Sequence, residues 1–248
     1  MKHHNTNRFV VAVTLTVFAA NFLRADAQTD AGNPHLRAAP DSQLRQPAFD
    51  PQGFFWVYRN GATHPKMPFS PYGWMSDATN LSQVVQIDLE CHDHPNAITK
   101  PPTPERERCI RLKVTWGEAT WASVAFISGT DKPPWWGETN TGGRYYNLGA
   151  LPKKKLVFYA RGDKGGEVIK AQVGALGDKP FGDSLASPVI SDDLKLTQDW
   201  KRFEIDLKDA PAAELAKICN GFGVVAEQAT QPGSPGETQF YIDDVYFE

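Results

Sequence analysis

The sequence predicts an all-β sandwich, and three features of its patterning lead there. From Phe54 onward the chain falls into short runs rich in Val, Ile, Phe, Tyr and Trp, separated by clusters of Gly, Pro, Asn and Asp. Only one segment carries a helical signature: Pro211 sits at a first helical position, Ala212–Ile218 follows, and Gly221 lies just past the end. Strands and helices do not alternate, which separates a sandwich with one short helix from an α/β fold.

The chain opens on an address segment. Lys2 and Arg8 make a positive start, Phe9 to Leu23 is mostly apolar, and Ala25-Asp26-Ala27 offers the small residues a signal peptidase reads. Residues 1–27 are therefore expected to be a signal peptide, with a secreted or periplasmic product of bacterial type starting at Gln28. The alternative is an uncleaved anchor, although the run is short and Thr-rich for a membrane span. Residues 28–48 have little apolar content and are expected to form a flexible leader. The sandwich then occupies 49–248, with strands over Phe54–Tyr58, Gln83–Leu89, Cys109–Trp116, Trp121–Ile127, Lys155–Arg161, Glu167–Gly174, Trp200–Leu207, Gly221–Glu227 and Thr238–Phe247. No internal repeat is visible.

Of 248 residues, 26 are Lys or Arg and 29 are Asp or Glu, a net charge of −3. Loss of residues 1–27 removes Lys2, Arg8, Arg24 and Asp26 and leaves −5. An acidic chain argues against nucleic acid and fits a neutral polymer or small molecule. No further segment is apolar enough to span a bilayer. The three cysteines are Cys91, Cys109 and Cys219. In an oxidising compartment Cys91 and Cys109 are the natural disulfide, bracketing a Pro-rich excursion, with Cys219 left over.

Seven tryptophans point to a flat ligand such as a sugar ring, whose C–H face suits an indole or phenol and whose hydroxyls suit Arg, Asn, Gln and acids. Trp135 and Trp136, adjacent in a Pro/Gly-rich loop, are the first candidates for stacking, with Tyr145 behind them. The plain alternative is that they cap the sandwich edge. Trp56, Trp74, Trp116, Trp121 and Trp200 lie in or beside strands and suit the core. Alternation places Tyr159 and Arg161 opposite Phe158 and Ala160, and Lys170 and Gln172 opposite Ile169, Ala171 and Val173. If the two polar rows share one sheet face, Tyr159, Arg161, Lys170 and Gln172 line a sugar cleft; otherwise they are ordinary solvated positions. Arg161-Gly162-Asp163 is a short match that carries no adhesion claim.

The closing strand, Phe240 to Glu248, holds Asp243 and Asp244 side by side, on opposite sheet faces if the strand is regular. A carboxylate facing apolar packing is costly, and calcium relieves that cost with oxygen ligands from several chain segments. Asp77, in a turn, and Asp50, before the first strand, are the candidates to join them. His92-Asp93-His94, with His64, lacks the spacing of a transition-metal site. No Gly-x-Ser-x-Gly, His-Glu-x-x-His, phosphate loop or dinucleotide motif occurs. Glu90, Glu118, Glu138, Glu167 and Glu227 are the carboxylates a glycan hydrolase or lyase would draw on.

The segments Leu156-Val157-Phe158-Tyr159-Ala160-Arg161-Gly162, Gly165-Gly166-Glu167, Asp199 to Leu207, Gly221-Phe222-Gly223 and Phe240 to Val245 resemble consecutive strands of a galactose-binding-like jelly roll. The likeness spans Trp74 to Glu248. It resembles the non-catalytic carbohydrate-binding modules of bacterial polysaccharide-degrading enzymes, and so implies binding of a plant, algal or microbial polysaccharide or oligosaccharide. It also implies a structural calcium near the joined termini, with Asp243 or Asp244 as a ligand. Such modules are usually appended to an enzyme, whereas no catalytic domain is expected beside this sandwich. An enzyme on the same scaffold and an envelope or adhesion protein are the competing expectations.

Overall fold

Period-two alternation of large apolar residues builds two sheets whose inner faces close on one another. The computed structural model describes residues 44–59, 68–79, 85–91, 109–128, 145–176, 182–233 and 236–248, all within the unit His35–Glu248. Its strands are β1 (Leu44–Arg45), β2 (Phe55–Tyr58), β3 (Ser70–Ser76), β4 (Val85–Cys91), β5 (Cys109–Thr115), β6 (Trp121–Ile127) and β7 (Tyr145–Tyr146). They continue with β8 (Lys155–Gly162), β9 (Val168–Val173), β10 (Val189–Ile190), β11 (Leu194–Lys195), β12 (Lys201–Asp206), β13 (Asn220–Glu227) and β14 (Glu237–Phe247).

Sheet I runs β10-β9-β13-β6-β3, with β11 also on β9; sheet II runs β12-β8-β14-β5-β4, with β2 also on β14. One buried cluster joins them. Leu112, Phe158, Phe240 and Ile242 of sheet II meet Val124, Phe126, Ile169 and Phe222 of sheet I. Phe222 packs against both Phe126 and Phe158, with ring centroids 5.2 Å apart in each case. Trp116 is fully buried, and its indole N–H donates to Thr238 Oγ1 at 2.8 Å, so its one polar atom is satisfied. The all-β sandwich is therefore as expected, with the strand at Trp121–Ile127 matching to the residue.

Several elements differ from the sequence reading. Residues 211–219 form turns, not a helix. Glu214 and Leu215 N–H both donate to Pro211 O, which makes one helical turn. Ile218 then exchanges both backbone bonds with Tyr146, at 2.9 and 3.0 Å, and this bridge draws the segment out of helical geometry. Ser70–Ser76 is a strand despite Pro71 and Gly73. Among the described residues it pairs only with β6, and its register shifts between Tyr72 and Trp74, positions where an edge strand tolerates both residues. The expected leader, 28–48, ends sooner: Leu44 and Arg45 pair in parallel with Tyr145 and Tyr146, and Pro47 is buried.

The closing strand is bulged. Ile242 and Val245 both enter the core, leaving two residues where strict alternation leaves one. The ladder to β8 is irregular between Asp243 and Tyr246, Asp244 adopts φ +46°, and its N–H donates to Asp243 Oδ1 at 2.7 Å. Both aspartates are fully buried. The regular alternation expected to send them to opposite faces is broken at that bulge.

Candidate functional site

The outer face of sheet II gathers polar and aromatic side chains in register. In β5, Ile110, Leu112 and Val114 point into the core, so Arg111 and Lys113 point out. The same alternation turns Gln239 and Tyr241 of β14, Arg161 of β8, and Gln86 and Asp88 of β4 to that face. The ladders align them. Asp88 stands opposite Arg111, Arg111 opposite Tyr241, and Tyr241 opposite Arg161. A second row beside it pairs Gln86 with Lys113 and Lys113 with Gln239. Trp200, just before β12, closes the first row, its ring 5.7 Å from the Arg161 guanidinium.

Polar contacts hold the rows in place. Arg111 donates to Asp88 Oδ2 at 2.7 Å, and Lys113 meets Glu237 at 2.7 Å. Both pairs are solvent-exposed, so their worth is orientation more than stability. Gln239 Nε2 donates to the Tyr241 hydroxyl at 2.8 Å and to Asp163 Oδ1 at 3.0 Å, and the Tyr241 hydroxyl donates to Asp163 at 3.2 Å. The Arg161 guanidinium lies over the Tyr241 ring at 3.7 Å. A cavity of about 390 Å³ opens on this face, lined by Gln86, Ile87, Asp88, Arg111, Lys113 and Gln239. Directional donors and acceptors around a flat, open floor suit a hydroxyl-rich ligand.

The residues expected to form the sugar cleft are not brought together. Tyr159 and Arg161 lie in sheet II, whereas Lys170 and Gln172 lie in sheet I, because β8 and β9 belong to different sheets. Both pairs point away from the shared core, so they occupy opposite faces of the sandwich. Tyr159 stands opposite Asp243 and Arg202, and burial raises its pKa, with Asp244 adding to the rise and Arg202 opposing it. Lys170 is engaged by Glu227 at 2.7 Å and Asp193 at 3.6 Å. Burial lowers its pKa, but these acids outweigh it and the net shift is upward. Gln172 is buried and leans over Gly223. Tyr145 is buried with Ala125, Ile127, Leu176 and Cys219, so its ring has no face for a ligand. Burial, then Cys219 and Asp183, pushes its hydroxyl up to about 12. Trp135 and Trp136 lie outside the described residues, as do His64 and His92-Asp93-His94.

The four aspartates expected around calcium are likewise spread out. Asp50 accepts from the N–H groups of Gln52 and Phe54 and from the Trp56 indole at 2.7 Å. Burial raises its pKa, but these bonds and the nearby Arg59 bring it below the usual value. Asp77 accepts from the Thr120 hydroxyl and from Thr120 N–H at 2.8 Å, pinning the β5–β6 turn, and these bonds likewise outweigh burial. Among the described residues no three His, Cys, Asp or Glu side chains converge as a metal site. The donors seen therefore do not fit the four-carboxylate set.

Of the five candidate acids, Glu138 lies outside the described residues, as does the Glu90 side chain, and the other three stand apart. Glu118 is exposed in the β5–β6 turn, Glu167 is buried against Gly162 with Lys164 N–H on its Oε1, and Glu227 pairs with Lys170 in sheet I. Arg161-Gly162-Asp163 is folded into the platform: Arg161 covers Tyr241 and Asp163 holds Tyr241 and Gln239. Cys91 stands opposite Cys109 in register, and Cys219 is a free, buried thiol. The sequence reading reached Arg161 but missed Arg111, Lys113, Gln239 and Tyr241. The signal was present, since Ile110-Arg111-Leu112-Lys113-Val114 alternates cleanly, but nothing local says which strand lies beside it.

Fold and face define a class: a two-sheet β-sandwich with an aromatic and polar platform on one sheet. Solved structures similar to the chain are carbohydrate-binding modules. A family 30 module shares 14% identity over 72% of this chain and 94% of that chain, with a TM-score of 0.43. A family 11 module from Clostridium thermocellum, in complex with a β-1,3-1,4-mixed-linked tetrasaccharide, shares 9% identity over 77% and 94%, with a TM-score of 0.39. A family 29 module shares 8% over 79% and 91%, also at 0.39. No protein-family model and no curated protein sequence matches the chain.

Proposed function

We propose that the protein binds a polysaccharide or oligosaccharide without cleaving it, on the outer face of sheet II. The supporting observation is the register row Asp88, Arg111, Tyr241, Arg161, closed by Trp200 and open at a cavity of about 390 Å³. The Tyr241 and Trp200 rings and the Arg111 guanidinium meet ring faces, while Gln86, Asp88, Lys113 and Gln239 meet hydroxyls. Each contact is weak, so affinity grows with the number of sugars engaged. Export through residues 1–27 belongs to this reading, and so does a Cys91–Cys109 bridge, supported by the direct register of the two residues. Calcium enters it only at Asp243–Asp244, the buried pair left after Asp50 and Asp77 are accounted for.

The test is a pull-down of residues 28–248 on soluble and insoluble glycans, with calcium or chelator, while the supernatant is assayed for released reducing ends. Retention without product, lost by about tenfold or more in Arg111→Ala and Tyr241→Ala, is the expected result, since each removes a central contact. Product release points instead to a hydrolase or lyase. Retention unchanged in both variants moves the site off sheet II.

A further inference from the structure

We propose that Arg161 is a displaceable lid on the Tyr241 ring, so that a ligand gains that stacking face only when the guanidinium leaves it. The proposal deepens the carbohydrate reading above and rests on it. Tyr241 is the aromatic ring at the centre of the register row, yet it is only 8% exposed, with the Arg161 Cζ 3.7 Å from its centroid. A pyranose face needs the same space. One of the two partners must therefore move, and their attachments decide which.

Tyr241 is fixed. It sits inside β14, between β5 and β8, and its hydroxyl is held by Gln239 and by Asp163, which are bonded to each other. Arg161 reaches the ring from the neighbouring strand on a flexible stem, its Nη1 donating to the Gly162 carbonyl at 3.0 Å. A second berth lies close by, because the Trp200 ring is already 5.7 Å from the guanidinium. The Tyr241 ring is buried and Arg161 part-buried, and cation–π attraction between them is of an order that a stacking sugar can match. The movable group is the arginine, and the closed arrangement costs the ligand whatever that contact is worth.

Two measurements test the lid. The first is the NMR signature of the Arg161 side chain, whose Cδ and Nε protons are expected to be ring-current-shifted upfield by Tyr241 in the unliganded protein and to lose that shift when glycan binds. The second is affinity electrophoresis of wild type, Arg161→Ala and Tyr241→Ala in gels containing mixed-linked β-glucan, xylan or galactomannan. Arg161→Ala is expected to bind about three- to tenfold more tightly than wild type, the range a partly exposed cation–π contact spans, and Tyr241→Ala to lose retardation. Weaker or unchanged binding by Arg161→Ala, with wild type still retarded, overturns the lid and leaves the carbohydrate reading intact. Random-coil shifts for Arg161 in the unliganded protein overturn it as well. Retardation of neither wild type nor Arg161→Ala in any of the three gels overturns the carbohydrate reading, and the lid with it.

Discussion

Asp183 is a buried carboxyl group whose surroundings set its chemistry. Its carboxylate accepts N–H bonds from Leu176 at 3.0 Å, Cys219 at 2.7 Å and Asn220 at 2.9 Å, tying the start of β13 to two neighbouring segments. Burial raises its pKa above 3.8, and those bonds only partly oppose the rise. A carboxyl group whose folded pKa is raised holds its proton more tightly in the folded state. Its stabilising contribution is full below the unfolded value of 3.8 and is lost as pH rises through the folded value. Asp50 and Asp77 act in the opposite sense: their lowered pKa values stabilise above 3.8, and that stability is lost as pH falls through the folded values. Unfolding free energy of wild type relative to Asp183→Asn should therefore decline with rising pH above 3.8, by about 1.4 kcal/mol for each unit separating the two pKa values. Parallel pH curves for the two proteins would rule the effect out.

At the scale of elements, close backbone approach decides what a strand can carry. A Cβ on Gly221 of β13 would sit 2.7 Å from two Phe69 ring carbons, and Phe69 is itself buried in the core. Gly221→Ala should cost about 1–3 kcal/mol through overpacking, read as a lower urea midpoint with an unchanged slope. A midpoint equal to wild type would mean that the ring gives way without cost. Sequence patterning located most strands, including β5, β6, β8 and β14, because each alternates against one apolar face. It left out β3, whose Pro71 and Gly73 are accommodated by an edge position and a register shift. It failed again at 211–219, where a bridge to Tyr146 overrides a local helical signal.

Across the whole molecule, the sandwich has two outer faces of different character. Sheet II presents Arg111, Tyr241 and Arg161 in one row, while sheet I presents Lys170 tied to Glu227 and Asp193. Glycan retention should fall about tenfold or more in Arg111→Ala, while Lys170→Ala should stay within about twofold of wild type, the scatter of additive, distant sites. Equal losses in both variants would show that binding is not confined to one face. The turn Gly162 to Glu167 explains why this division was not legible locally. A glycine-rich connection reads as a hairpin within one sheet, yet here it carries the chain from β8 of sheet II to β9 of sheet I.

The sequence by itself determined the class of fold, most strand positions and the inward or outward sense of each side chain within a regular strand, because these depend on period-two alternation and turn chemistry over a few residues. It pointed to Arg161 as a surface group and to the pairing of Cys91 with Cys109 in one neighbourhood. Only the tertiary structure decided which strands lie side by side, and so which outward residues become one platform: Arg111, Tyr241 and Arg161 are far apart in the chain and adjacent only through the β5-β14-β8 ladder. It also broke the alternation at Asp243–Asp244 with a bulge and sent Asp50 and Asp77 to other partners. Local patterning is paid in local hydrogen bonds and side-chain rotamers, whereas strand order is settled by how two whole faces bury one another, and no short window of residues contains that information.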